Sequence, residues 1–154
     1  MKKFPVTVVL DNIRSALNVG AIFRTCDAAG VTKLYLCGIT PYPPHNRIPK
    51  TALGAIDTVS WEYAKTTREI IEKLRKENIK IVSVENSQRA VEFTKYKFET
   101  PVAMVFGNEI DGVEKGILEI SDATIKIPMF GTKESLNVAT TVGIALYEVI
   151  RQIA

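Results

Sequence analysis

The stretch PVTVVLDNIRSALNVGAIFRTCDAAG (Pro5–Gly30) decides the fold. It opens with a β-branched apolar run, Pro5–Leu10, of the kind that forms a strand buried on both faces. After a polar turn the pattern changes, and Asn18 to Ala29 reads as helix. The same alternation recurs downstream. KLYLCG (33–38), KIVSVE (80–85), VAMVFG (102–107) and ATIKIP (123–128) are further short apolar strands. TTREIIEKLRKEN (66–78) reads as a helix with a Thr66-x-x-Glu69 capping box and Glu69/Lys73 and Glu72/Lys76 pairs. A last helix from about Leu136 to Ile153 places Ala139, Val142, Leu146, Val149 and Ile153 on one face. Strands alternating with helices predict an α/β domain with a mostly parallel sheet flanked by helices. No repeat or linker interrupts it, so residues 1–154 are expected to form a single domain.

Composition narrows the function classes. With 154 residues, 46% of them hydrophobic, the chain can bury a substantial core. Cys26 and Cys37 lie in apolar surroundings with no Cys-x-x-Cys spacing, which suits reduced thiols in a cytoplasmic protein. The single histidine, His45, rules out a multi-histidine metal site, and no metal is expected. The apolar run at the start is too short for a signal peptide or a membrane span. Net charge is +3, but unevenly spread. Positions 1–50 carry seven Lys or Arg against two Asp, a net of +5, and the remainder carries 13 against 15, a net of −2. A basic half on a nearly neutral body is one possible footprint for a polyanion.

Common phosphate-binding signatures are absent. No G-x-G-x-x-G follows the first strand, no G-x-x-x-x-G-K-[ST] occurs, and GNEIDG (107–112) has the wrong spacing for a dinucleotide turn. A serine triad would have to use His45 and lacks a nucleophile elbow. Three polar clusters remain, each at a strand end or helix start: NIRSALNVGAIFRT (12–25), FGNEIDG (106–112) and IPMFGTKESLNVA (127–139). Singly, each has a plain structural reading. Asn18 can cap a helix whose first turn Gly20 keeps open, and Arg24 can be a surface charge. The second cluster can be a turn, and the third a loop with a helix cap.

Together and in this order, the three clusters resemble the SPOUT superfamily of RNA methyltransferases, and within it the TrmH (SpoU) family of ribose 2′-O-methyltransferases. The resemblance runs from Val8 to the last helix, with TPYPPHNRIPKTALGA (40–55) a softer match to one branch. It implies a minimal, catalytic-domain-only member whose C-terminal part is tied in a trefoil knot, a feature that periodicity could not reveal. It also implies an S-adenosylmethionine site built from Val84, Glu85, Gly107, Asn108, Ile127, Met129, Ser135 and Leu136. There Gly107 and Gly131 allow close backbone approach and Pro128 stiffens a wall.

The implied chemistry moves a methyl group from a sulfonium to a ribose 2′-hydroxyl, so the protein must align the oxygen and help it lose a proton. Arg24 matches the family's catalytic arginine. A guanidinium is a poor base, so stabilising the 2′-oxyanion is its second possible role. Asn18, Glu109, Ser135 and Asn137 are expected to orient Arg24 and the cofactor. Arg14, Arg47, Lys50 and Lys133 are the candidate contacts to RNA, tRNA or rRNA, and Tyr42 and His45 can stack on an unpaired base. Family members are homodimers with sites shared between chains, and small residues of the last helix (Ala139, Thr140, Gly143) suit either an interface or the core. Leu17 departs from the polar residue or His common at its position, which bears on which nucleotide fits. Two rival readings remain: a non-catalytic RNA-binding module, and a SPOUT enzyme that modifies a base.

Overall fold

The computed structural model describes all residues, Met1–Ala154. The elements run β1 (Phe4–Asp11), α1 (Ala16–Ala29), β2 (Val31–Cys37), α2 (Ile48–Ala52), a 3-10 turn (Ala55–Asp57) and β3 (Trp61–Ala64). They continue with α3 (Thr67–Lys76), β4 (Lys80–Val84), β5 (Val91–Glu92), β6 (Val102–Gly107), α4 (Lys115–Ile120), β7 (Ala123–Lys126) and α5 (Val138–Ile153). All seven strands form one sheet in the order β3-β2-β1-β6-β4-β7-β5. Every pairing is parallel. The loops that leave β1, β2, β3, β4, β6 and β7 therefore emerge along one edge, where ligands of open α/β sheets bind.

Alternation along β1 explains why its sequence is apolar without a polar face. Val6, Val8 and Leu10 join a cluster with Val19, Ile22, Phe23 and Cys26 of α1 and Val142, Leu146 and Val149 of α5. Val9 turns to the opposite face and meets Tyr35, Ile70, Ile71 and Leu74, with Ile117 of α4 beyond. Both faces are thus covered, and each buried Ile or Leu contributes about 1.5–3 kcal/mol. Both cysteines are buried and unpaired. Burial pushes both thiols upward, Cys37 to about 12. No helix is long and apolar enough to cross a membrane.

Several local expectations are corrected. The cap of α1 is Ser15, whose hydroxyl accepts the Asn18 backbone N–H at 3.2 Å, and the Asn18 side chain is left for other partners. The Thr66–Glu69 capping box forms as expected. The Glu69/Lys73 and Glu72/Lys76 ion pairs do not: Glu72 faces Arg68 at 3.9 Å and Lys73 donates to the Tyr35 hydroxyl at 3.1 Å. The last strand stops at Lys126 and the last helix starts at Val138, because Asn137 caps it through the backbone N–H groups of Ala139 and Thr140. The short elements β3, β5, α2 and α4 escape a periodicity reading, being two to six residues long.

Gly20 does more than open a helical turn. It is the point where α2 crosses α1, and a Cβ there would fall 2.0 Å from Thr51 Oγ1 and 2.4 Å from the Ile48 carbonyl oxygen. Helix propensity alone makes Gly20→Ala favourable by about 1 kcal/mol. The clash with fixed backbone outweighs that gain, so Gly20→Ala is expected to destabilise the fold by about 1–3 kcal/mol in a denaturant titration. A stabilised variant would show that α2 moves freely on α1.

Candidate active site

Three loops on the C-terminal edge enclose one open cleft: the exit of β4, the loop from Gly107 to Gly112 after β6, and the stretch from Ile127 to Val138 between β7 and α5. Val84, Phe106, Ile127, Met129, Leu136 and Val138 give it apolar walls, and Glu85, Asn108 and Ser135 add polar groups. All eight residues assigned from sequence to the cofactor line this cleft. Gly107 is needed for its shape, since a Cβ would lie 2.1 Å from the Gly112 carbonyl carbon. Gly131 faces open space, so no close approach within the chain requires a glycine there.

One hydrogen-bonded chain ties the three sequence clusters together. The Asn137 Oδ1 accepts two backbone N–H groups at the start of α5 (2.9 and 3.2 Å), which leaves its Nδ2 to donate to Asn18 Oδ1 at 3.1 Å. The Asn18 Nδ2 then donates to Glu109 Oε1 at 3.3 Å, and the same oxygen accepts the Val138 N–H at 3.0 Å. The carboxylate therefore sits at the positive end of α5.

Arg24 stands outside this network. It is exposed, has no hydrogen bond or ion pair within the chain, and does not line the cleft. Six residues beyond Asn18 on one helix, it points about 120° away. Asn18, Glu109, Ser135 and Asn137 therefore do not orient Arg24 inside the same chain.

The motif-two loop is braced from beneath. Asn108 Oδ1 accepts the N–H groups of Ile110 and Asp111 (2.9 and 2.7 Å), and its Nδ2 donates to the Asn12 carbonyl at 3.0 Å. Asp11, 1% exposed, accepts from the Thr67 hydroxyl and from the Glu114 N–H at 2.8 Å. Sequence reading missed Asp11, Asn12, Asn86 and Thr141. For Asn12 a signal existed, since asparagine directly after a strand is among the few residues that tolerate its positive φ of 57°.

The candidate RNA contacts are all exposed. Arg14 pairs with Asp111 at 2.9 Å on the surface, where such a pair is worth at most about 1 kcal/mol and is readily exchanged. Arg47 precedes α2 and Lys50 lies within it, and both are exposed. Lys133 is exposed beside Glu134, whose carbonyl accepts from Asn86 Nδ2 at 2.8 Å.

A family model, the SpoU rRNA Methylase family, matches residues 5–147. The chain belongs to the SpoU methylase family. It is 36% identical to a tRNA (guanosine(18)-2′-O)-methyltransferase of Aquifex aeolicus, across 94% of this chain and 68% of that protein. To the Escherichia coli K12 protein of the same name it is 32% identical, across 96% of this chain and 63% of that protein. Among solved structures, the AdoMet-bound rRNA methyltransferase from Sinorhizobium meliloti matches with a TM-score of 0.91 and 28% identity, over 99% of this chain and 58% of that one. The chain thus spans about two thirds of the curated relatives it matches.

Glu85 offers a test of the cleft's polarity. Burial raises its carboxyl above the ordinary range, and the Val113 and Asn86 backbone N–H groups oppose that only in part. The folded state then holds the Glu85 proton more tightly than the unfolded chain, so this group costs stability as pH rises through and above the carboxylate range. Glu85→Gln, which keeps an acceptor, is expected to gain stability relative to wild type between pH 4 and pH 8, read as the difference in denaturation midpoints. A difference independent of pH would put Glu85 in open water.

Proposed function

We propose that this protein is an S-adenosylmethionine-dependent RNA methyltransferase that transfers a methyl group to a ribose 2′-hydroxyl of tRNA or rRNA. The observation that carries the reading is the Glu109–Asn18–Asn137 chain, which gathers three distant motifs beside a cleft of mixed polar and apolar lining in a member of the SpoU methylase family. The relatives, guanosine 2′-O-methyltransferases of tRNA and an rRNA methyltransferase, support the same substrate class.

The cleft fits the cofactor's chemistry: apolar walls for an adenine ring and a thioether chain, and polar groups with the carboxylates of Glu85, Glu109, Asp111 and Glu134 to meet its hydroxyls and positive charges. Val84, Glu85, Gly107, Asn108, Ile127, Met129, Ser135 and Leu136 would hold it. When bound, S-adenosylmethionine supplies an electrophilic methyl group on a sulfonium. The chain's own residues must then fix the acceptor ribose and stabilise its oxygen. Glu109 lines the cleft, and Asn18 and Asn137, bonded to it in series, tie α1 and α5 to that wall. Ser135 lines the wall beside them. Arg24 stabilises the negative charge that grows on the 2′-oxygen, and the proton passes to an RNA phosphate or to water.

Arg24 lies outside its own chain's cleft, so the reading includes a homodimer in which Arg24 serves the partner's cleft. Exposed Leu17 on α1 and exposed Ile144 and Tyr147 on α5 support such an interface. The α1 and α5 helices pack directly, with Gly143 opposite Thr25. The reading also includes the SPOUT knot in the C-terminal part, the catalytic domain as a single unit over 1–154, and a cytoplasmic setting. Arg14, Arg47, Lys50 and Lys133 supply phosphate contacts.

Incubation with methyl-labelled S-adenosylmethionine and total RNA, followed by alkaline digestion, tests the activity. A ribose methyl protects its own linkage, so label is expected in alkali-resistant dinucleotides. Label confined to mononucleotides would mean base methylation, and no transfer at all would favour a binding module. Arg24→Ala is expected to lower the transfer rate about 100-fold or more while S-adenosylmethionine binding, followed by calorimetry, stays within twofold. Full activity in that variant would remove Arg24 from the mechanism.

A further inference from the structure

On the same edge of the sheet, away from the cleft, the exposed Tyr42 ring lies stacked on Tyr63 with centroids 4.1 Å apart and planes 28° from parallel. Tyr63 is fixed from below. Its hydroxyl donates to the Gly38 carbonyl at 2.9 Å and its ring packs against the larger core. Tyr42 is 43% exposed. Pro41, Pro43 and Pro44 flank it and restrict its backbone. An aromatic ring already held in place loses little freedom when a second flat partner lands on it.

We infer that the Tyr42–Tyr63 stack is a platform for an unpaired base of the RNA substrate, lying a few nucleotides from the ribose that is methylated. The inference rests on the RNA reading above. Two to four strand spacings separate the C-terminal ends of β2 and β3 from those of β6 and β4, roughly 10–19 Å across the sheet. A short single-stranded segment bridges that distance.

The two places are also joined by a continuous hydrogen-bonded path. The Ile39 N–H donates to Asn12 Oδ1 at 3.0 Å, the Asn12 carbonyl accepts from Asn108 Nδ2 at 3.0 Å, and Asn108 holds the loop that lines the cleft. The charge pattern suits a polyanion. Between Asn12 and Ile56 the only acid is Asp27, which accepts from Thr58, while Arg47 and Lys50 are exposed and unpaired; of the acids that follow, Glu62 lies 3.7 Å from Lys33. His45 is a poorer platform: its Nδ1 accepts the Arg47 N–H at 3.2 Å, turning the ring toward its own backbone. Base stacking on tyrosine tolerates any sequence, which fits a contact flanking the target rather than reading it.

Filter binding of unfractionated tRNA and rRNA, at one salt concentration, compares wild type with Tyr42→Ala, Tyr42→Leu and Tyr42→Phe. Loss of one stacked base weakens binding by roughly fivefold to a hundredfold. Ala and Leu are expected to bind about tenfold more weakly. Phe, which keeps the ring, should stay within twofold of wild type. Thermal midpoints and S-adenosylmethionine binding should be alike in all four, with Leu keeping the contact to Tyr63 if Ala loosens the loop. Wild-type affinity in Ala and Leu would overturn the platform and leave the RNA reading intact. A wild-type protein that binds neither RNA would overturn that reading and the platform with it.

Discussion

A carboxylate at the start of the last helix is the point on which the site depends. Glu109 leaves β6, reaches the positive end of α5 through the Val138 N–H, and accepts from Asn18 on α1. A charge in that position helps α5 begin where it does, by roughly 0.3–1 kcal/mol for an exposed terminus. The energy is small, but the geometry it fixes is not. Asn137 must cap α5 with its oxygen, so its amide nitrogen can only turn outward to Asn18. Each link along that line is a directed hydrogen bond, and together they tie α1, α5 and the β6 loop to one another.

A second constraint comes from the parallel sheet. Parallel strands send their outgoing loops to one edge, and those loops must then be kept apart or stitched together. Here they are stitched. Asn12, in a left-handed conformation, accepts from the loop after β2 through its side chain and from the loop after β6 through its carbonyl. Gly38 is what lets Asn12 come so near, because a Cβ at Gly38 would fall 2.0 Å from the Asn12 side-chain oxygen. Asp11 performs the matching task on the other face, receiving the hydroxyl of Thr67 and the N–H of Glu114. The edge therefore behaves as one surface rather than six separate loops.

Much of this was legible in the sequence, and the gaps have physical causes. The strands that periodicity found are those buried on both faces, such as β1 and β6, whose apolar runs have no solvent side to interrupt them. Edge strands β3 and β5 carry Glu62 and Glu92 among only four and two residues, too little for any period. The cleft walls were found because motifs at strand ends converge wherever strands are parallel. The cap of α1 was misplaced by three residues because Asn18 and Ser15 are both good caps, and only the fold shows which one Glu109 claims. Arg24 illustrates the other limit: spacing along a helix says which way a side chain points, but not which molecule it meets.

The two cysteines end up as a built-in clock. Cys26 lies inside the α1–α5 layer and Cys37 at the sheet's opposite face, both with 0% exposure and both held as neutral thiols. Neither can react with an alkylating reagent until the layer covering it opens. Because the two layers contain different helices, the rates at which the two thiols become labelled separate opening of the α1–α5 side from opening of the α3–α4 side. One native chain thus reports, without any engineered residue, whether its two halves come apart together or in turn.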